Sequence, residues 1–283
     1  MASGAPVITR YLLRSVLPGR CWRGVAVLLV SSALLACSTT PGPSRSISEL
    51  PPLQLDNHSL TVDEVAARAP TPDLLAIDQE MREFVQLYTG GVRNSRQRLM
   101  MLHRAVTGAA TLDVDYDPFA EGSAQEVFHR GSANCLSYAN LFVALAREAG
   151  LDASYQWLDV RPQWTRMGER VMVRLHVNTM VKLGISGEYM VDIDPLPSRD
   201  IAGTQKMSDA DAQALYHSNI AMNALAEEDL EQAWLHGVRA LQISPQLPHL
   251  WVNLGAIYRM TGQHREAESS YLYALRLDPW DRS

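Results

Sequence analysis

Three cysteines in 283 residues are too few for a disulfide-built scaffold. No cluster of His, Cys, Asp or Glu has zinc-ligand spacing, and no glycine-rich loop fits a nucleotide phosphate, so no cofactor is expected. Lys and Arg number 25 against 31 Asp and Glu, for a formal net charge of −6. Without a basic patch or stripe, nucleic acid is not an expected partner. The apolar run from Val25 to Ala36 is about a dozen residues, too few to span a bilayer comfortably.

That run does have a meaning where it stands. Arg10, Arg14, Arg20 and Arg23 precede it with no acidic residue among them, and small residues end it. A basic leader, a short apolar core and a small-residue end form the pattern of a bacterial export signal, here over residues 1–36. Its last residues, "LLAC" at 34–37, resemble the lipobox of bacterial lipoproteins. The resemblance implies that Cys37 is lipidated and becomes the first residue of the mature chain, held at the membrane by its lipid. Ser38 after it implies sorting to the outer membrane, with the protein on its periplasmic face. Cys21 leaves with the signal, so Cys135 is the single thiol that remains and no intrachain disulfide is expected. Residues 37–60 are rich in Ser, Pro and Thr without apolar periodicity, and read as a flexible tether.

The other end carries a repeat. Trp251, Leu254, Gly255, Tyr258, Ala267, Tyr271, Ala274 and Pro279 are spaced as in a tetratricopeptide repeat. About 34 residues earlier, Ile220, Ala221, Ala224, Ala233, Ala240 and Pro245 take equivalent places. Residues 206–283 therefore resemble two such repeats. Small residues at the crossings let antiparallel helices approach, and proline closes each unit. Two repeats are fewer than usually stand alone, so they are expected to lean on the preceding domain. They offer either a concave surface for a protein partner or a helical cap.

Between the ends, residues 61–205 form a second expected domain. Helical apolar spacing runs through "DEVAARAP", "TPDLLAIDQEMREFVQLYTG" and "SRQRLMMLHRAVTG". Thr71 or Asp73 beside Pro72 can start the second helix, and Gly90-Gly91 stops it. "NCLSYANLFVALAREAGL" reads as a buried helix with Cys135 at its head. Partial period-two alternation follows in "ASYQWLDVRP", "RVMVRLHVNTMVKLG" and "EYMVDIDP", with Gly184 and Gly187 marking a turn. The class is α+β: helices, then an antiparallel sheet.

A cysteine heading a helix, a strand with His176 and a strand with "VDIDP" resemble, in that order, the transglutaminase-like superfamily, a papain-like arrangement. The resemblance covers about residues 75–200 and implies a Cys135, His176 and Asp triad. Asp192 and Asp194 share a strand face, and either can be the acid. Asp192, after "YMV" and 16 residues beyond the histidine, is favoured. Asn134 stands where the superfamily usually has glycine.

The chemistry is coherent. A helix N-terminus favours thiolate, so the Cys135 pKa is expected below its usual value. An imidazole takes and returns the proton, and a carboxylate fixes its tautomer. The Cys135 N–H can serve an oxyanion, but no second donor is evident. His129 is the rival base; His103, His217, His236, His249 and His264 read as surface or packing residues. Ser137, Tyr138, Trp157 and Trp164 can line the site or simply pack. The expected activity is acyl transfer through a Cys135 thioester, with hydrolysis of a peptide or isopeptide bond in a protein or peptide substrate. The alternative is an inert binding scaffold acting through the fold and the repeats.

Overall fold

The computed structural model describes residues 46–279 except 161–163, 168–169, 174–175 and 185–186, with backbone alone for 164–167 and 170–173. The expected signal, Cys37 and the first part of the tether lie outside the described residues. The described residues fall in one compact unit. Among the described residues, no helix is long and apolar enough to cross a membrane.

The chain is a mixed fold of helices and one principal antiparallel sheet. Before the cysteine come a short pair, β1 (Leu53–Gln54) and β2 (Ser59–Leu60), then α1 (Val62–Arg68), α2 (Gln79–Thr89) and α3 (Ser95–Thr107). Thr61 and Glu64 form a capping box that starts α1. α2 begins later than its sequence suggests. Asp78, not Thr71 or Asp73, caps it by accepting from the Met81 N–H at 2.9 Å. The residues ahead are drawn into tertiary bonds: the Leu74 carbonyl accepts from the Ala124 N–H, and the Thr71 hydroxyl meets His217. Gly90 ends α2 as expected.

β3 (Asp115–Tyr116) lies parallel to β4 (Ser132–Ala133), and α4 (Ala124–Arg130) runs between them. α5 (Cys135–Glu148) follows directly. Every residue from Leu136 to Ala146 is buried, as expected of a helix apolar on all sides. It supports the sheet of β5 (Asp152–Val160), β8 (His176–Lys182), β9 (Glu188–Val191) and β10 (Ile201–Met207), in the order β10-β5-β8-β9, all antiparallel. A separate hairpin, β6 (Trp164–Met167) and β7 (Arg170–Val173), leaves between β5 and β8. Trp164 lies there, and its side chain is outside the described residues. β10 has no strand signature in "IAGTQKM"; pairing with the long β5 makes it a strand, a case of tertiary context overriding propensity.

The C-terminal helices are α6 (Asp209–Ala226), α7 (Leu230–Ile243), α8 (Pro248–Met260) and α9 (His264–Leu277). They share a core in which Trp234, Trp251 and Tyr258 are fully buried. A Cβ on Gly255 would lie 2.5 Å from the Tyr271 ring, so α8 and α9 approach this closely only over a glycine. His217 is buried rather than superficial, with its Nδ1 2.8 Å from Nδ1 of His236.

Two expected boundaries do not coincide with the structure. The division at 205/206 falls inside β10, whose Met207 packs with Leu136, Tyr155 and Leu215. The tether expected over 37–60 is ordered from Ile47 onward. Leu50, Leu53 and Leu60 are buried in the same core as the C-terminal helices, because three well-spaced leucines bury enough area to anchor a Pro-rich strand pair. Leu53→Ala is therefore expected to cost about 2–5 kcal/mol, a Tm loss of roughly 5–15 °C by thermal melting. An unchanged Tm would return this segment to a tether.

Candidate active site

Cys135 is placed by two local devices. Gly131 closes α4 with φ +76°, a left-handed residue suited to glycine, and its N–H reaches the Val127 carbonyl. β4 then delivers Asn134, whose Oδ1 accepts from the Ser137 N–H at 2.8 Å and starts α5. Asn134 is thus a helix cap, which glycine would serve less fully, and not merely a departure from the superfamily pattern.

On the sheet, β8 and β9 pair as Thr179 with Val191. Continued one residue, this register brings Asp192 to the level of Asn178, on the strand face of His176 and diagonal to it. His176 Nε2 and Asp192 Oδ2 lie 2.6 Å apart, with both side chains largely buried (12% and 5% exposed). Asp194 is exposed; its backbone N–H donates to Asp192 Oδ1 at 3.1 Å, steadying the inner carboxylate. His129 is elsewhere engaged: its Nε2 is 2.6 Å from Asp78 at the head of α2.

The Cys135 sulfur meets the backbone N–H of Val177, the residue beside His176, and feels the charge of Asp192. The sulfur thus lies against the strand backbone one residue from His176, and His176 and Asp192 form a pair on that strand face.

The electrostatics depart from expectation. Burial pushes the Cys135 thiol up to about 11, and the Glu121 and Asp192 charges add to the rise. The N–H groups of Val177 and Leu136 offset only part of it. A helix end contributes roughly 0.3–1 kcal/mol, less than one pKa unit's worth, so desolvation of the sulfur wins. The thiolate consequently needs a proton acceptor beside it.

Other expected lining residues hold the frame. Ser137 is fully buried and its Oγ accepts from the Gly122 N–H at 2.8 Å. Tyr138 packs in the core beside Phe142. Trp157 stacks on His249 of α8, ring centroids 5.3 Å apart. Sequence reasoning missed Asn140, whose Nδ2 donates to the Gly122 carbonyl at 2.9 Å, and Tyr155, whose hydroxyl donates to Asn140 Oδ1 at 2.7 Å. It also missed Glu121, the side chain this network presses against the cap of α5. Glu121 lies in a loop without periodicity, and only the Asn residues near Cys135 offered a hint. Among the described residues, no group of three or more His, Cys, Asp or Glu could hold a metal ion.

A cysteine-headed buried helix packed on an antiparallel sheet that carries a His–Asp pair is an α+β arrangement suited to cysteine-based catalysis. Residues 82–194, which include Glu121, Cys135, His176 and Asp192, match the family model of the transglutaminase-like superfamily. No curated protein and no solved structure matches the chain significantly.

Proposed function

We propose that this chain is a cysteine acyl-transfer enzyme that hydrolyses peptide or isopeptide amide bonds through a thioester at Cys135. The observation that carries the reading is the 2.6 Å His176–Asp192 contact beside the strand position that meets the Cys135 sulfur. Asp192 takes Nε2, leaving Nδ1 as the nitrogen to receive the thiol proton. The thiolate then attacks the carbonyl carbon, the carbonyl π pair moves to oxygen, and the tetrahedral species collapses to a thioester. His176 returns its proton to the departing amine. Water, activated by the same imidazole, releases the acid and regenerates the thiol.

Cys37 carries the lipid that holds the protein at the periplasmic face of a bacterial outer membrane, and α6–α9 act as two tetratricopeptide repeats that present a protein partner or substrate. The leader and lipobox residues support the first statement, and the repeat spacing and the Gly255 crossing support the second. A second reading, an inert scaffold, is favoured by one observation: a thiol held near 11 is unreactive by itself.

One experiment separates the readings: mass spectrometry of membrane-extracted protein treated briefly with p-nitrophenyl acetate. An acetyl group on Cys135, absent in Cys135→Ala, is expected, together with a mature N-terminus at a lipidated Cys37. Acetylation no faster than that of free cysteine would favour the scaffold, and an unprocessed N-terminus would remove the anchor.

A further inference from the structure

We propose that Glu121 is the second hydrogen-bond donor of the acyl-transfer site, offering a carboxylic O–H from Oε2 to the oxyanion formed when Cys135 is acylated. The inference rests on the acyl-transfer reading above. It begins with the orientation of Asn134. Asn134 Oδ1 is committed to the Ser137 N–H, so its other end is the amide Nδ2, which donates to Glu121 Oε1. Oε1 is therefore an acceptor. Any proton on this carboxyl group sits on Oε2, which is buried and has no partner within 3.5 Å; Asn219 and Ser137 are the nearest hydrogen-bonding side chains besides Asn134.

The loop bearing Glu121 is held firmly at the head of α5. The Gly122 N–H donates to Ser137, the Gly122 carbonyl accepts from Asn140, and the Asn134 N–H reaches the Ala120 carbonyl at 3.2 Å. Arg130 of α4 spends its guanidinium on the carbonyls of Glu121 and Ala120, at 3.0 and 3.2 Å, and on Ser132. Glu121 thus sits one residue's cap away from the nucleophile, close enough for its charge to act on the thiol.

The groups facing the carboxyl group are few. Arg130 faces it from α4, Cys135 from the head of α5 and Tyr216 from α6, and the side chains of Asn219, Asn134 and Ser137 act on it as hydrogen-bonding groups. Burial outweighs the donors and the Arg130 charge, and raises the acid to about 7. A neutral carboxylic acid that donates to a developing oxyanion is an established device. It complements the Cys135 N–H, which alone gives the oxyanion one donor. In the step, the C–S bond forms and the carbonyl π pair becomes the oxyanion lone pair. Glu121 keeps its proton and only donates a hydrogen bond. Collapse restores the C=O bond as the leaving group departs.

The test compares two reagents on the full-length protein. Iodoacetamide alkylates a thiolate by displacement and forms no oxyanion, whereas p-nitrophenyl acetate acylates through one. Rates are read at the Cys135 peptide for the first and as p-nitrophenolate release in excess of Cys135→Ala for the second. Glu121→Ala is expected to cut the acylation-to-alkylation ratio by about 10²-fold. Glu121→Gln, whose Oε1 can accept from Asn134 while Nε2 donates, is expected to recover most of that loss. In the wild type the ratio falls as pH rises through about 7, because ionised Glu121 has no proton to donate and repels the oxyanion; in Glu121→Gln it stays level. An unchanged ratio in Glu121→Ala, equal slowing with both reagents, or a Gln variant that keeps the wild-type fall overturns the inference alone. A wild-type Cys135 that alkylates only as an ordinary thiol, indifferent to His176→Ala, overturns the acyl-transfer reading and this inference with it.

Discussion

His176→Ala is expected to slow alkylation of Cys135 at neutral pH by about 10²-fold or more and to move its pH profile upward. The sign follows from the environment of the sulfur. Burial and the neighbouring carboxylates hold the thiol near 11, so the uncharged form dominates until the pH approaches that value. A thiol four units above the solution pH is ionised to only about one part in 10⁴. In the proposed mechanism the imidazole accepts that proton at Nδ1 while Asp192 holds Nε2. The resulting ion pair keeps the two charges together in a site that penalises either alone. Removing the imidazole returns Cys135 to a solitary buried thiol. Alkylation rates across pH, read at the Cys135 peptide, check this; identical profiles in the two proteins would mean that His176 does not serve the sulfur.

The second large effect separates two acids that stand two residues apart. Asp192→Asn is expected to lower the rate of acylation by p-nitrophenyl acetate on the order of 10²–10⁴-fold. The asparagine can turn its Nδ2 toward His176 Nε2, which must then be the acceptor. The ring proton moves to Nδ1, the position needed to receive the thiol proton. Asp194→Asn, by contrast, is expected to leave the rate within about threefold. Its side chain is exposed, and its contribution to Asp192 is a backbone N–H that asparagine keeps. Equal losses in both variants would assign the two carboxylates a shared electrostatic role instead of a single orienting one. Thermal melting of both proteins guards against reading a folding defect as a kinetic one.

The two acids also show how far residue patterns reach. Strand alternation puts Asp192 and Asp194 on one face and cannot separate them. The separation comes from the end of β9 at Val191, after which the chain bends, leaving Asp192 against His176 and Asp194 exposed. His129 was the nearer histidine in sequence, yet α4 places it against Asp78. The cysteine itself was readable as a helix head, because "NCLSYANLFVALA" has a capping residue followed by an unbroken apolar stretch. Its ionisation was not readable, since a helix-end argument counts a local dipole and omits the water displaced by elements far along the chain.

By itself the sequence determined the broad run from helices to strands to C-terminal helices, the α+β class, the buried helix behind Cys135 and the small residues that let the last helices cross. These are properties of neighbours a few residues apart, governed by periodicity, capping and turn chemistry. Tertiary structure alone decided that residues 47–60 join the C-terminal core, that β10 becomes a strand, that Asp192 faces His176, and that Glu121 comes to rest at the head of the cysteine helix. Each of these depends on desolvation or pairing between segments tens to hundreds of residues apart, and such terms exist only once the chain has closed around them.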